Sequence, residues 1–107
     1  MTTLDVLSII KRGTPDNPVT RKQLASIFGE KQDRQVRDII RQLIKDGNPI
    51  ISSESSPAGY YIAENWQQAQ EYIANLQKLL LAQASRIHDF RHGCKTRLPP
   101  EQGVLAL

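Results

Sequence analysis

The chain has 107 residues, a single cysteine (Cys94), 39% hydrophobic residues and a formal net charge of +3 at pH 7. That length allows one compact domain and at most one extended element besides, and a lone cysteine excludes an internal disulfide, as expected for a reducing cytoplasm. No apolar run approaches the ~18 residues of a membrane span, and the opening Met-Thr-Thr-Leu-Asp lacks the basic and apolar sections of a secretory signal.

Taken in chain order, Leu4, Val6, Leu7, Ile9 and Ile10 follow a Thr-Thr pair suited to capping a helix. Gly13, Pro15 and Pro18 stop that first helix near Arg12. Thr20 and Gln23 form a T-x-x-Q capping box, with Val19 placed to staple onto Leu24. They predict a second helix over Arg21–Phe28, burying Leu24, Ile27 and Phe28 and ended by Gly29. After the polar turn Glu30-Lys31-Gln32 a third helix begins at Asp33. Its stripe of Val36, Ile39, Ile40, Leu43 and Ile44 has helical period, and Gly47 and Pro49 close it.

The period then changes. Ile50-Ile51-Ser52-Ser53 and Tyr60-Tyr61-Ile62 flank the turn-rich Glu54-Ser55-Ser56-Pro57-Ala58-Gly59, which predicts a β-hairpin. Asn65 and Gln68 resemble another capping box. From there Trp66, Ala69, Ile73, Leu76, Leu80, Gln83, Ile87 and Phe90 recur at alternating steps of three and four, a heptad seam. That helix, expected over Trp66–Arg91 and ended by Gly93, spans about 39 Å at 1.5 Å per residue. A small body covers only its first half, Trp66 to Leu76. Leu76, Leu79, Leu80 and Ile87 are therefore the expected dimerisation residues, since a second copy is the commonest cover for such a face. The remainder, with Pro99-Pro100 and Gly103, reads as a flexible tail.

Charge is unevenly placed. Lys11–Lys45 holds nine Lys/Arg against four Asp/Glu, whereas Asp46–Ser85 has Lys78 as its only basic residue and is net acidic. A basic segment beside an acidic one is the footprint of a face that meets a polyanion. With Val36, Ile40 and Leu43 turned inward, 100° per residue puts Arg34, Asp38, Arg41 and Lys45 outward, with Gln35 and Arg37 on the flanks. Arg and Gln are the side chains that pair bidentately with base edges in the major groove. The solvated-face alternative is i,i+3 and i,i+4 pairing of Asp38 with Arg41 and Arg34.

His88 and His92, four apart with Cys94 behind, make only a partial zinc set, and no second ligand group exists elsewhere. No Ser/His/Asp set, paired carboxylates or Gly-rich phosphate loop is present. Neither catalytic residues, metal, cofactor nor small-molecule ligand is therefore expected, and the chain is not expected to be an enzyme.

The order helix, helix, tight turn, helix, hairpin resembles the winged helix-turn-helix superfamily, in particular the biotin-repressor type and small phage or prophage winged-helix proteins. Val19–Ala25 with Phe28-Gly29 is similar to the first helix of the bihelical unit, Asp33–Leu43 to a recognition helix, and Gly47–Ile50 with Gly59–Ile62 to the wing strands. The resemblance covers residues 4–64. Two features depart from it: Gln32-Asp33 stands where a capping serine is common, and the wing tip carries Glu54 and serines but no Lys or Arg. It implies a three-helix winged domain at 1–64; with the long helix at 65–92, read from its heptad spacing as a dimerisation element, and a tail at 93–107, the expected fold is α+β and mainly helical. The resemblance implies sequence-specific binding of double-stranded DNA by a homodimer, as a cytoplasmic transcriptional regulator, with a phage origin as one option. Arg34, Gln35 and Arg37 would lie at base edges, and Arg21, Lys22, Arg41 and Lys45 at phosphates. The alternatives are a protein-interaction or assembly module without DNA, and a phage replication-origin binding protein.

Overall fold

The computed structural model describes residues 1–100. Among them are four α-helices, α1 (Thr3–Ile10), α2 (Arg21–Phe28), α3 (Asp33–Lys45) and α4 (Trp66–Arg97). A 3-10 turn (Glu30–Gln32) precedes α3, and an antiparallel pair, β1 (Ile50–Ser53) and β2 (Gly59–Ile62), separates α3 from α4. The fold is thus α+β and mainly helical, and the chain divides into two compact units, Met1–Gln70 and the remainder.

In the first unit α1 and α2 each start where a side chain satisfies an orphan N–H, whereas α3 follows the 3-10 turn without a side-chain cap. Thr2 opens α1: the Asp5 N–H donates to Thr2 Oγ1 at 3.2 Å and the Thr2 N–H donates to Asp5 Oδ2 at 2.8 Å. The Thr2 backbone N–H, then its hydroxyl, hold the Asp5 carboxyl below its usual value. This interaction therefore supports the fold above the ordinary carboxylate pKa and is lost as pH falls through the lowered one. The expected box at α2 is present, with Gln23 N–H to Thr20 Oγ1 at 3.0 Å and Thr20 N–H to Gln23 Oε1 at 2.9 Å. α3 ends on Asn48, whose backbone and side-chain N–H groups both donate to the Leu43 carbonyl, at 3.0 and 2.9 Å.

The core gathers Val6 and Ile10 of α1, Val19, Leu24 of α2, Val36, Ile40 and Leu43 of α3, and Ile50 of β1. Two expected core residues are not in it. Ile27 is 52% exposed because α2 buries the arc from Leu24 through Phe28 to Ala25, and Ile27 lies past its other edge. Ile44 is exposed for the same reason, one step beyond the arc centred on Val36, Ile40 and Leu43.

The hairpin pairs Ile50 with Ile62 and Ser53 with Gly59. Val19 adds a bridge to β2: its N–H donates to the Tyr60 carbonyl at 2.9 Å and its carbonyl accepts the Tyr60 N–H at 2.8 Å. This closeness explains two glycines. A Cβ on Gly13 would lie 2.5 Å from the Tyr60 oxygen, and one on Gly59, where φ is +146°, 2.6 Å from the Val19 oxygen. Gly13 therefore makes room for the bridge as well as ending a helix. Gly13→Ala is expected to lower stability by about 1–3 kcal/mol, the usual cost of overpacking against backbone. An unchanged urea midpoint would show that the bridge has slack.

In α4 the Gln68 N–H donates to Asn65 Oδ1 at 2.9 Å, but the return bond runs from the Glu64 N–H to Gln68 Oε1 at 2.8 Å. Glu64 thus takes the place expected for the Asn65 backbone. Helix α4 continues through Gly93 to Arg97, past its expected end. A mid-helix glycine costs only about 1 kcal/mol, and Lys95 and Arg97 favour the negative helix terminus. The stop falls before Pro99-Pro100, since a residue preceding proline avoids helical backbone. Of the expected tail, 93–97 is helical and 101–107 lies outside the described residues. No residue of α4 is buried, and Trp66 is 77% exposed, while Gln68, Ala69 and Tyr72 are half-buried.

Candidate nucleic-acid interface

The outward side of α3 exists because its inward side is so apolar. With Val36, Ile40 and Leu43 sealed, Arg34, Gln35, Arg37, Arg41 and Lys45 are all left exposed, as are Arg21 and Lys22 at the start of α2. Among the described residues, Arg34, Gln35, Lys22 and Lys45 make no side-chain hydrogen bond or ion pair, so their polar ends are available to a ligand.

Three of the seven are engaged. Arg21 Nη2 approaches Asp33 Oδ2 at 2.9 Å, and Arg37 Nε approaches the same oxygen at 3.2 Å. One carboxylate at the head of α3 therefore ties the start of α2 to the outer face of α3. Arg41 pairs with Asp38 at 3.4 Å, whereas the Asp38–Arg34 pair allowed by the spacing does not form. These pairs are solvent-exposed and contribute about 0–1 kcal/mol each, so a phosphate can displace a carboxylate from any of them. Asp33 is absent from the residues expected at this face, although its place four residues before Arg37 is a usable signal. Its bond to Arg21, twelve positions away, has none.

Two further features sit beside this face. The α2 cap uses the Gln23 N–H and leaves the Arg21 and Lys22 N–H groups without an acceptor among the described residues, as an anion prefers. A depression of about 530 Å³ joins that terminus to the hairpin through Arg21, Lys22, Ser52, Ser53 and Tyr60. Glu54 lines it too, and the Ser53 hydroxyl is spent on the Ser55 carbonyl at 3.0 Å. The hairpin side of this depression therefore carries negative charge.

The expected self-association residues Leu76, Leu79, Leu80 and Ile87 are all exposed on α4. Among the described residues no group of three or more His, Cys, Asp or Glu side chains gathers as metal ligands, and no helix is long and apolar enough to cross a membrane. Comparison with protein-family models, curated proteins and solved structures gives no match.

Proposed function

We propose that this chain binds double-stranded DNA as a winged helix-turn-helix protein, with α3 in the major groove and the start of α2 on the phosphate backbone, acting in transcriptional regulation. The observation that carries the reading is the outer face of α3. Exposed Arg34, Arg41 and Lys45 lie along its outer side with Gln35 and Arg37 on the two flanks, beside the capped and unfilled N-terminus of α2. A helix of this diameter fits the major groove, and the groove presents edges that Arg and Gln recognise bidentately. Arg34 and Gln35, near the helix start and unpaired, are best placed for bases. Arg21, Lys22, Arg37, Arg41 and Lys45 serve phosphates.

The second reading, a protein-interaction module, draws on the hairpin tip, which carries Glu54 and no Lys or Arg and so would repel or ignore a duplex. Titrating a labelled random-sequence duplex across a salt series separates the two. DNA binding requires log K to fall linearly with log salt, by about 0.9 for each phosphate neutralised. Affinity absent at low salt rules it out. A sharper check uses Asp33→Asn. Freeing Arg21 and Arg37 from their shared carboxylate is expected to tighten binding and steepen the salt slope, because a negative charge leaves the interface. Weaker binding by a folded Asp33→Asn protein would mean that Asp33 orients these arginines rather than competing for them.

A further inference from the structure

Most of the seam of α4 lies open: no residue of α4 is buried, Leu80, near its middle, is 69% exposed, and Ala69 and Cys94 are half-buried. Its charges say in which direction a second copy of the helix can cover it. In a parallel, in-register pair the positions flanking the seam would set Arg86 against Arg91 of the second copy on both sides. The basic end of the helix, which also carries Lys95 and Arg97, would lie against itself, and the helix dipoles would be aligned. Reversing the second helix removes all three penalties. Arg86 then flanks Tyr72, and the basic half of each helix lies beside the nearly neutral half of the other.

Heptad spacing alone permits several antiparallel registers, and the extent of the apolar seam selects one. Its first member is Trp66 and its last large one Phe90, after which the seam positions are Cys94 and Arg97. Lys78 lies midway between Trp66 and Phe90. With the two-fold axis beside Lys78, Trp66 meets Phe90 of the second copy at each end, small Ala69 faces larger Ile87, and Leu76 faces Leu80. The two Leu79 side chains then meet at the centre, covering a leucine outside the strict seam. Full-length overlap would instead seat Arg97 against Trp66 and leave Leu79 beside Arg86.

We infer that α4 pairs with α4 of a second copy of this chain, antiparallel, with the two-fold axis beside Lys78. The inference does not depend on DNA, and it is tested on the full chain without DNA. Sedimentation equilibrium should show a dimer at tens of micromolar that is lost in Leu80→Glu, while that variant keeps the NMR methyl signals of Val6 and Ile10. Direction and register are read by disulfide trapping, which requires Cα atoms within about 7 Å. On a Cys94→Ser background, Ala69→Cys combined with Ile87→Cys should give a covalent dimer under mild oxidant, and either change alone should not. The wild-type protein, with Cys94 unopposed by a second sulfur, should stay unlinked.

A monomeric wild type overturns the proposal. So does covalent dimer from the wild-type protein or from Ala69→Cys on the Cys94→Ser background, which would mean parallel helices. Trapping of Ala69→Cys through the native Cys94, without trapping of the 69/87 pair, would mean the full-length register and also overturns it.

Discussion

Truncating Leu43 to alanine is expected to destabilise the first unit by about 2–5 kcal/mol, as large-to-small changes in a sealed core do. Leu43 is 3% exposed and lies on the inward side of α3, with Val36 and Ile40 in the cluster that also holds Val6 and Ile10 of α1. Its loss leaves a void in a core with few other members. Since typical domains are stable by only about 5–15 kcal/mol, the variant should be near its unfolding midpoint in mild urea. Among the described residues the neighbouring Gln42 side chain bonds only Asp46, at 3.0 Å on the surface, and its replacement by alanine should shift stability by no more than about 0.5 kcal/mol. NMR methyl signals of Val6 and Ile10 should follow the transition, because α4 dominates the helical circular dichroism without belonging to this core. Equal urea midpoints for Leu43→Ala and Gln42→Ala would refute the assignment of the buried face.

The second large effect concerns DNA. Replacing Arg34, Arg37 and Arg41 together by alanine should leave the urea midpoint close to that of the wild type, because all three are exposed and their ion pairs are weak. Binding should nevertheless fall sharply. An arginine that pairs with a guanine edge contributes about 1–3 kcal/mol on the cognate site, and removing an arginine that neutralises a phosphate flattens the salt slope by about 0.9. The three substitutions should therefore lower affinity on random duplex and lower it further on a selected site. Arg21→Ala, by contrast, should weaken binding about equally on every sequence, as expected of a residue that meets only the backbone. If the triple variant binds as the wild type does at every salt concentration, α3 is not the DNA-facing helix.

Some of the candidate site was legible before folding. A sealed stripe of Val36, Ile40 and Leu43 obliges Arg34, Arg41 and Lys45 to face water, because the helix repeats at 100° per residue. That the charges face outward therefore follows from the period alone. That Arg21 and Arg37 share Asp33, and that Tyr60 stands beside the start of α2, does not. Such pairings join positions that only folding brings together, and no spacing rule encodes them.

The same division runs through the fold. Within short stretches the sequence by itself determined the limits of α2 through the Thr20–Gln23 box, the body of α3 through its apolar period, and both hairpin strands through β-prone runs around a turn. Caps, periods and turns act over a few residues, so their chemistry is complete in the local sequence. Tertiary structure alone decided that Ile27 and Ile44 stay outside the core. It also decided that Gly13 and Gly59 must lack a side chain, and that Val19 bridges β2. Each of these depends on how near another segment comes, to within about the width of a methyl group, and that distance is set by the packing of the whole unit.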